Sequence, residues 1–314
     1  MTAPARETGS IVAAPDRAEL EARLREGGFF WLDLLRPGPD EFALLRELFG
    51  FHPLALEDSD HFGQRPKLED YDDVLFLVVY GAALDDDLLV EVHCFCSERF
   101  LVTVRVDEFE PFARLRQRLR PRTRPSLVLH AVADALIDSF FPVLSSLDDR
   151  IEGLEESVFD EPSDEQLREI FELRRRVLAL RKVVGPQRDV FATITNQFAA
   201  LPSMDVDAQR AFRDVYDHLI RIGDMLDSHR DLLTGALDVY LSRASNRLSE
   251  VTKQLALIAT IFLPLTFVTG FFGQNFDWLV DHVGGSGAFF AYGIGVQVLT
   301  LALLLVFFRR RGWF

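Results

Sequence analysis

Between Asp207 and Asn275, apolar residues recur at Phe212, Val215, Leu219, Ile222, Leu226, Leu233, Leu237, Tyr240, Ala244, Leu248, Val251 and Leu255, with His229 filling the one gap. The steps of three and four average about 3.6, the period of one face of a nearly straight helix. No proline interrupts the run before Pro264, and Gly223 and Gly235 weaken it only locally. After Leu255 the apolar residues occupy every face as far as Phe272, where Gly273, Gln274 and Asn275 follow. The pattern predicts a single helix on the order of 100 Å long, at about 1.5 Å per residue, that leaves water and enters a bilayer.

A second uncharged run lies further on. Leu255 to Phe272 gives 18 uncharged residues and Ala288 to Phe308 gives 21, enough for two spans of roughly 30 Å of hydrocarbon. Arg243, Arg247 and Lys253 precede the first span, Arg309, Arg310, Arg311 and Trp313 follow the second, and the loop between carries no base. The positive-inside rule then puts both termini and the soluble part in the cytoplasm of a two-pass protein of the inner or plasma membrane. Neither span holds an ionisable residue, whereas pumps and proton-coupled carriers generally need one. Two helices cannot enclose a hydrophilic path, so a pore requires several copies around an axis. Ser249, Thr252, Leu255, Ala259, Leu263 and Thr266 share one side of the first span. Periodicity alone suits either a pore lining or helix packing there.

Upstream, residues 16–125 read as a cytoplasmic α/β domain. Strands are predicted at Phe29–Leu35, Leu75–Tyr80, Leu88–Cys96 and Phe100–Val106, the last two as antiparallel neighbours, with helices at Asp40–Phe49 and Phe112–Arg120. Met1–Pro15 is small and polar and reads as disordered. Residues 126–203 form an acidic helical hairpin: one helix from Ser126 to Phe159 interrupted at Pro142, and a second to about Phe198 opened by the capping box Ser163/Gln166 and kinked at Gly185-Pro186. Between Asp134 and Glu165 it carries eleven acids and one base, Arg150. The remaining divisions are a stalk helix at 204–254, the first membrane helix at 255–275, an external loop at 276–287, the second membrane helix at 288–308 and a basic tail at 309–314. The fold class is an α+β membrane protein.

Charge and composition narrow the function. A net charge of −15 argues against nucleic acid and suits divalent cations. Arginines at 114, 116, 118, 120, 122 and 124 are spread around a helix without interleaved aromatics, which predicts ion pairing with the acidic helices that follow. Cys94 and Cys96 are same-face neighbours on one strand, poorly placed for a disulfide, and fit a reduced cytosolic setting. A metal held by these two and His93 is the minor reading. The seven histidines are scattered, with no His-Glu-x-x-His and no phosphate loop, so the chain is not read as an enzyme.

The ending Gly273-Gln274-Asn275-Phe276 after Ile261-Phe262-Leu263-Pro264-Leu265-Thr266-Phe267 resembles the first membrane span of the CorA family of magnesium transporters, which ends in Gly-Met-Asn. His52-Pro53-Leu54-Ala55-Leu56-Glu57-Asp58, Gln64-Arg65-Pro66-Lys67, Phe212-Arg213-Asp214-Val215-Tyr216-Asp217-His218, Leu237-Asp238-Val239-Tyr240-Leu241-Ser242 and the basic-aromatic C-terminus also look like family motifs. The match runs from about Trp31 to Phe314.

The resemblance implies a funnel-shaped homopentamer that imports Mg²⁺, and also Co²⁺ or Ni²⁺, down the electrochemical gradient. Gly273, Gln274 and Asn275 would be the selectivity filter, five Asn275 amides holding Mg²⁺ through its hydration shell. Ser249, Thr252, Leu255, Ala259, Leu263 and Thr266 would line the path, with Leu255 and Leu263 as a hydrophobic gate. Regulatory Mg²⁺ would sit between subunits at Asp214 and Asp85. Asp277 and Asp281 would concentrate cations outside, or simply keep the loop soluble. Gln274 stands where the family usually has Met, and Gly-x-Asn variants include zinc transporters of the ZntB kind. A Zn²⁺ transporter, with proton coupling left open by His282 at the mouth, is therefore an alternative. A non-conducting, membrane-anchored cation sensor or adaptor is the alternative of another class.

Overall fold

The computed structural model describes residues 11–12, 16–71, 73–83, 89–118, 124–158, 162–196, 206–274 and 277–312. Two compact units divide the chain, Met1–Asp238 and Val239–Phe314.

In the first unit a six-stranded sheet has the order β1-β2-β6-β5-β4-β3. The strands are β1 (Ile11–Val12), β2 (Phe30–Leu35), β3 (Lys67–Tyr71), β4 (Val74–Ala82), β5 (Leu89–Cys96) and β6 (Phe100–Arg105). β3 to β6 form an antiparallel meander, and β2 lies parallel to β6 and to β1. β4, β5 and β6 are buried along nearly their whole length, which explains their continuous apolar runs. α1 (Arg17–Glu26), α2 (Pro39–Phe49) and α3 (Pro53–Asp60) come before the meander. Phe51, beyond α2, stacks on Phe95 of β5 with ring centroids 4.2 Å apart.

α4 (Glu110–Arg118) and α5 (Pro125–Asp138) follow β6. Alternation along β2 and β6 sets Trp31, Asp33, Thr103 and Arg105 on one face. There Trp31 Nε1 donates to Thr103 Oγ1, and the Arg105 guanidinium donates to Asp33. α5 crosses so close to β4 that a Cβ on Gly81 would come within 2.8 Å of Leu136 and 2.9 Å of Ser139 Oγ. Glycine is the residue that this crossing admits.

The chain continues as α6 (Phe140–Val158), α7 (Asp164–Asn196) and α8 (Val206–Phe272). The helix predicted from Ser126 to Phe159 is thus two helices. Pro142 excludes the carbonyl four residues back, that of Asp138, from a helical hydrogen bond, and the turn falls at Ser139. Ser139 Oγ donates to the Leu136 carbonyl and accepts from Ala82 N–H. α5 therefore covers the sheet, and α6 and α7 make the hairpin. α7 opens with the Ser163/Gln166 capping box, 3.0 and 3.3 Å, and runs unbroken through Pro186.

Two further expectations are corrected. The N-terminal stretch 1–15 contains a short strand, Ile11–Val12, paired with Trp31 and Leu32. Two of the arginines pair away from the helices that follow, Arg114 with Glu110 of α4 itself and Arg116 with Asp33 of β2, while Arg124 meets Asp207 at the start of the later helix α8. α4 packs beside β2 through Phe112 and Trp31, which puts Asp33 within reach of Arg116. The residues at 119–123 lie outside the described residues.

Residues of α8 in the first unit bury Phe212, Val215, Leu219, Ile222, Leu226 and Leu233 completely. Contacts such as Phe191–Phe212 and the Arg181–Asp227 pair (2.7 Å) join them to α7. In the second unit the same stripe is bare: Leu248, Val251 and Leu255 are 68%, 46% and 62% exposed. α8 ends at Phe272 and is followed by α9 (Asp277–His282), α10 (Ser286–Ala288), a π-helical segment Phe289–Gly295 and α11 (Val296–Arg310).

Among the described residues, three helical stretches are long and apolar enough to cross a membrane: Pro125–Val158, Asp207–Phe272 and Ser286–Arg310. Half of the apolar window in the first is buried inside the chain, but none of it in the other two. The first owes its hydropathy to covering the sheet. The apolar windows of the other two leave their side chains for something outside the chain.

Candidate functional site

Two pairs of residues, each one helical turn apart, meet between α5 and α8. Asp134 and Asp138 share a side of α5, and Asp214 and His218 share a side of α8. One ligand atom from each of Asp134, Asp138 and His218 lies within 4.8 Å of the other two. His218 Nδ1 is 3.0 Å from Asp138 Oδ1, and its Nε2 is 4.0 Å from Asp214 Oδ2. Nδ1 is a buried nitrogen whose geometry satisfies no hydrogen bond. The Phe141 ring meets the imidazole edge-on at 5.6 Å and walls one side.

The electrostatics of the cluster favour a cation. Burial, reinforced by the charge of Asp138, holds the Asp134 carboxyl above its ordinary range. Burial holds the His130 imidazole, one turn before Asp134, below its ordinary value. Three carboxylates around one imidazole repel one another, and a divalent cation would relieve that. Oxygen donors suit Mg²⁺, while the imidazole extends the range to Co²⁺, Ni²⁺ and Zn²⁺. The residues thus fit a divalent ion.

Of the two regulatory residues implied by resemblance, Asp214 joins this cluster and Asp85 lies outside the described residues. Sequence reading missed Asp134, Asp138 and His218 as ligands. The available signal was two i, i+4 pairs of ligand-type side chains, Asp134/Asp138 and Asp214/His218.

On the described part of α8, Ser249, Thr252, Leu255, Ala259, Leu263 and Thr266 all lie exposed. Ser249, Thr252 and Thr266 donate their hydroxyls to the carbonyls of Ser245, Leu248 and Phe262 at 3.0, 2.8 and 2.9 Å. Each hydroxyl oxygen keeps lone pairs free to accept from the water shell of a passing ion. Gly273 N–H donates to Thr269 O at 2.9 Å, and a Cβ at Gly273 would come within 2.9 Å of that same carbonyl. Gln274 is exposed, Asn275 lies outside the described residues, and Asp277 and Asp281 are exposed on α9.

The sequence model for "CorA-like Mg2+ transporter protein" matches residues 26–310. The chain belongs to this family. It is 33% identical over 277 residues to the cobalt/magnesium transport protein CorA of Thermotoga maritima, covering 85% of this chain and 78% of that protein. It is 26% identical over 282 residues to the zinc transport protein ZntB of Yersinia enterocolitica, covering 87% and 85%. Among solved structures, the complete CorA magnesium transporter of Methanocaldococcus jannaschii superposes with a TM-score of 0.80 at 22% identity, over 90% of this chain and 91% of that one. That likeness establishes the CorA fold: a soluble α/β domain, a long helix and C-terminal apolar helices.

His93 of β5 belongs to a separate buried network and takes no part with Cys94 and Cys96, which point to the other side of the sheet. Both cysteines are free and buried. Burial lifts their thiols, that of Cys96 to about 12. His93 Nε2 faces Glu91 at 2.7 Å and its Nδ1 faces Ser59 Oγ at 2.9 Å. Ser59 and His93 are fully enclosed, so this serine–histidine–carboxylate order is closed to any substrate.

Proposed function

We propose that the protein is a channel-like transporter that imports divalent cations, Mg²⁺ foremost, through a pore formed by several copies of α8. The observation that carries this reading is the continuity of α8 in a chain of this family. One unbroken helix bears the Asp214–His218 side of the cation cluster, the exposed stripe of small, hydroxylated and apolar residues, and Gly273-Gln274 at its end. The bare stripe at Leu248, Val251 and Leu255 supports self-association, for which a homopentamer is our proposal. The two apolar helices support a two-pass topology with cytoplasmic termini.

Asn275 with Gly273 and Gln274 selects the ion at the external mouth. Neutral oxygens there hold Mg²⁺ with its first water shell and release it readily. Asp277 and Asp281 raise the local cation concentration. Inward flux follows the membrane potential, which gives a divalent ion about 4.6 kcal/mol per 100 mV. Leu255 and Leu263 close the path by dewetting. Internal Mg²⁺ bound at Asp214, with Asp85 or with Asp134, Asp138 and His218, screens the negative charge of the assembled cytoplasmic parts and favours the closed state. Loss of that ion releases the repulsion.

Zn²⁺ is the second reading, supported by Gln274 in place of the family's Met and by the imidazole of His218. Purified protein in liposomes carrying an ion-sensitive dye tests both. Mg²⁺ uptake that exceeds Zn²⁺ uptake and ignores a pH gradient supports the first reading. Zn²⁺ uptake driven by a proton gradient supports the second, and no uptake of either ion leaves the sensor reading.

A further inference from the structure

The second apolar helix contains a single amide side chain between Ala288 and Phe308, Gln297. Its Nε2 donates to Thr269 Oγ1 of α8 at 3.2 Å. Thr269 in turn donates its hydroxyl to Leu265 O at 2.6 Å, and its own carbonyl accepts the N–H of Gly273 at 2.9 Å. The chain of contacts thus leads from the second helix, through Thr269, to the first residue of Gly273-Gln274-Asn275. A second contact joins the same helices close by: Phe272 stacks on Tyr292 with ring centroids 6.0 Å apart.

The backbone places Gln297 for this contact. Phe289–Gly295 is π-helical, with Val296 N–H donating to Ala291 O. One extra residue in a turn rotates everything beyond it by about 100° relative to an α-helix. Without the π segment Gln297 would be turned by about 100° from the direction in which it now meets Thr269. A Cβ at Gly295 would lie 3.3 Å from Phe290 O, a tight approach that glycine avoids. An amide at membrane depth needs a partner, and the π segment delivers one.

We infer that Gln297 is a positioning residue for the external ion filter, holding the last turn of α8 so that Gly273 and Gln274 keep one rotation and height. This rests on the transport reading above. A filter that discriminates ions by their water shells works only if its groups stay in place, so loosening the last turn should blur selectivity before it abolishes flux.

The test is initial uptake of Mg²⁺ and Co²⁺ into proteoliposomes of the full chain. Gln297→Leu, or Gln297→Met should the leucine variant fail to insert, should change the Mg²⁺:Co²⁺ uptake ratio by about three- to fifteen-fold, the size of one intramembrane side-chain hydrogen bond. The half-saturating external Mg²⁺ concentration should rise as well. Thr269→Val should do the same, the double variant should be no worse than either single one, and Thr269→Ser, which keeps the hydroxyl, should match the wild type. Uptake by the wild type with an unchanged ratio and half-saturation in the Gln297 and Thr269→Val variants overturns this inference alone. Effects that simply multiply in the double variant overturn it too. No uptake by the wild type overturns the transport reading and this inference with it.

Discussion

His218 and Asp138 face each other across the α5–α8 contact, Nδ1 to Oδ1 at 3.0 Å, with Asp134 and Asp214 beside them. A divalent cation that binds this cluster in the folded chain and not in the unfolded one must raise its stability. At 100 times the dissociation constant the gain is about 2.7 kcal/mol. Thermal unfolding with and without Mg²⁺ should therefore show a raised midpoint for the wild type and almost none for Asp138→Asn. His218→Ala should lose the response to Co²⁺ more completely than the response to Mg²⁺, because the imidazole favours the softer ion. Equal responses in all three proteins would rule the cluster out as a cation site.

The same cluster sets a pH dependence. Asp134 has a raised carboxyl in the folded chain, so the folded state keeps a proton that the unfolded chain gives up. Its contribution is fully present below the ordinary aspartate value, about 3.9, and is lost as pH rises through the raised one. Without metal, Asp134→Asn should then unfold at a higher temperature than the wild type at pH 7.5, and the gap should close towards pH 4. His130, held low by burial, acts oppositely, losing its contribution as pH falls through its depressed value. Comparing the two proteins at each pH isolates Asp134.

Why some of this could be read from the chain and some not is clearest on α8. The apolar stripe from Phe212 to Leu255 has one period throughout, and the helix is visible in it. The period does not say what covers each part. Leu219 and Leu226 are fully buried within the chain, while Leu248 and Leu255 are 68% and 62% exposed. In the sheet, β4 and β5 announce themselves by unbroken apolar runs, but β3, Lys-Leu-Glu-Asp-Tyr, is a charged edge strand with no such run. α1 buries only Leu20, too little for a periodic signal. The break at Ser139 comes from Pro142, which acts on the carbonyl four residues earlier, so the turn precedes the proline that causes it. In the cation cluster, Asp134 and Asp138 are two among eleven acids. Only the crossing of α5 and α8, which gathers His218 with both of them, sets them apart from Asp149 or Glu152.

Glu91 should be the most costly polar residue to remove from the α/β domain. Its carboxylate accepts from Gly63 N–H at 2.5 Å and Gln64 N–H at 2.9 Å, and meets His93 Nε2 at 2.7 Å. Burial alone would raise this carboxyl, but the His93 contact and the Gly63 N–H outweigh it and hold it low. Glu91→Leu leaves two loop N–H groups and the buried Nε2 of His93 without a partner, at a cost of about 3–5 kcal/mol. Glu91→Gln should cost less and should also flatten the acid side of the stability profile. The wild-type contribution is present above the ordinary glutamate value and is lost as pH falls through the lowered one. Denaturant unfolding of both variants from pH 3 to 7 measures the two effects separately.

The proposed gate makes the last prediction. Leu255 and Leu263 lie on the exposed side of α8 with Ser249, Thr252, Ala259 and Thr266, and each is more than 60% exposed in the single chain. If copies of α8 meet around an axis on this side, the two leucines form apolar rings that water leaves when the path narrows. A hydroxyl in such a ring keeps it wet without adding bulk. Leu255→Ser and Leu263→Ser should therefore conduct Mg²⁺ into liposomes whose internal Mg²⁺ is high enough to close the wild type, with a leak raised about ten-fold, equivalent to lowering the barrier by about 1.4 kcal/mol. Ile261→Ser is the control, because residue 261 lies on the opposite side of the helix. It should lower thermal stability and leave the closed-state leak at the wild-type level. A leak in the control as large as that of Leu263→Ser would mean that any serine in the span loosens the assembly, and the assignment of the gate to this side would fail.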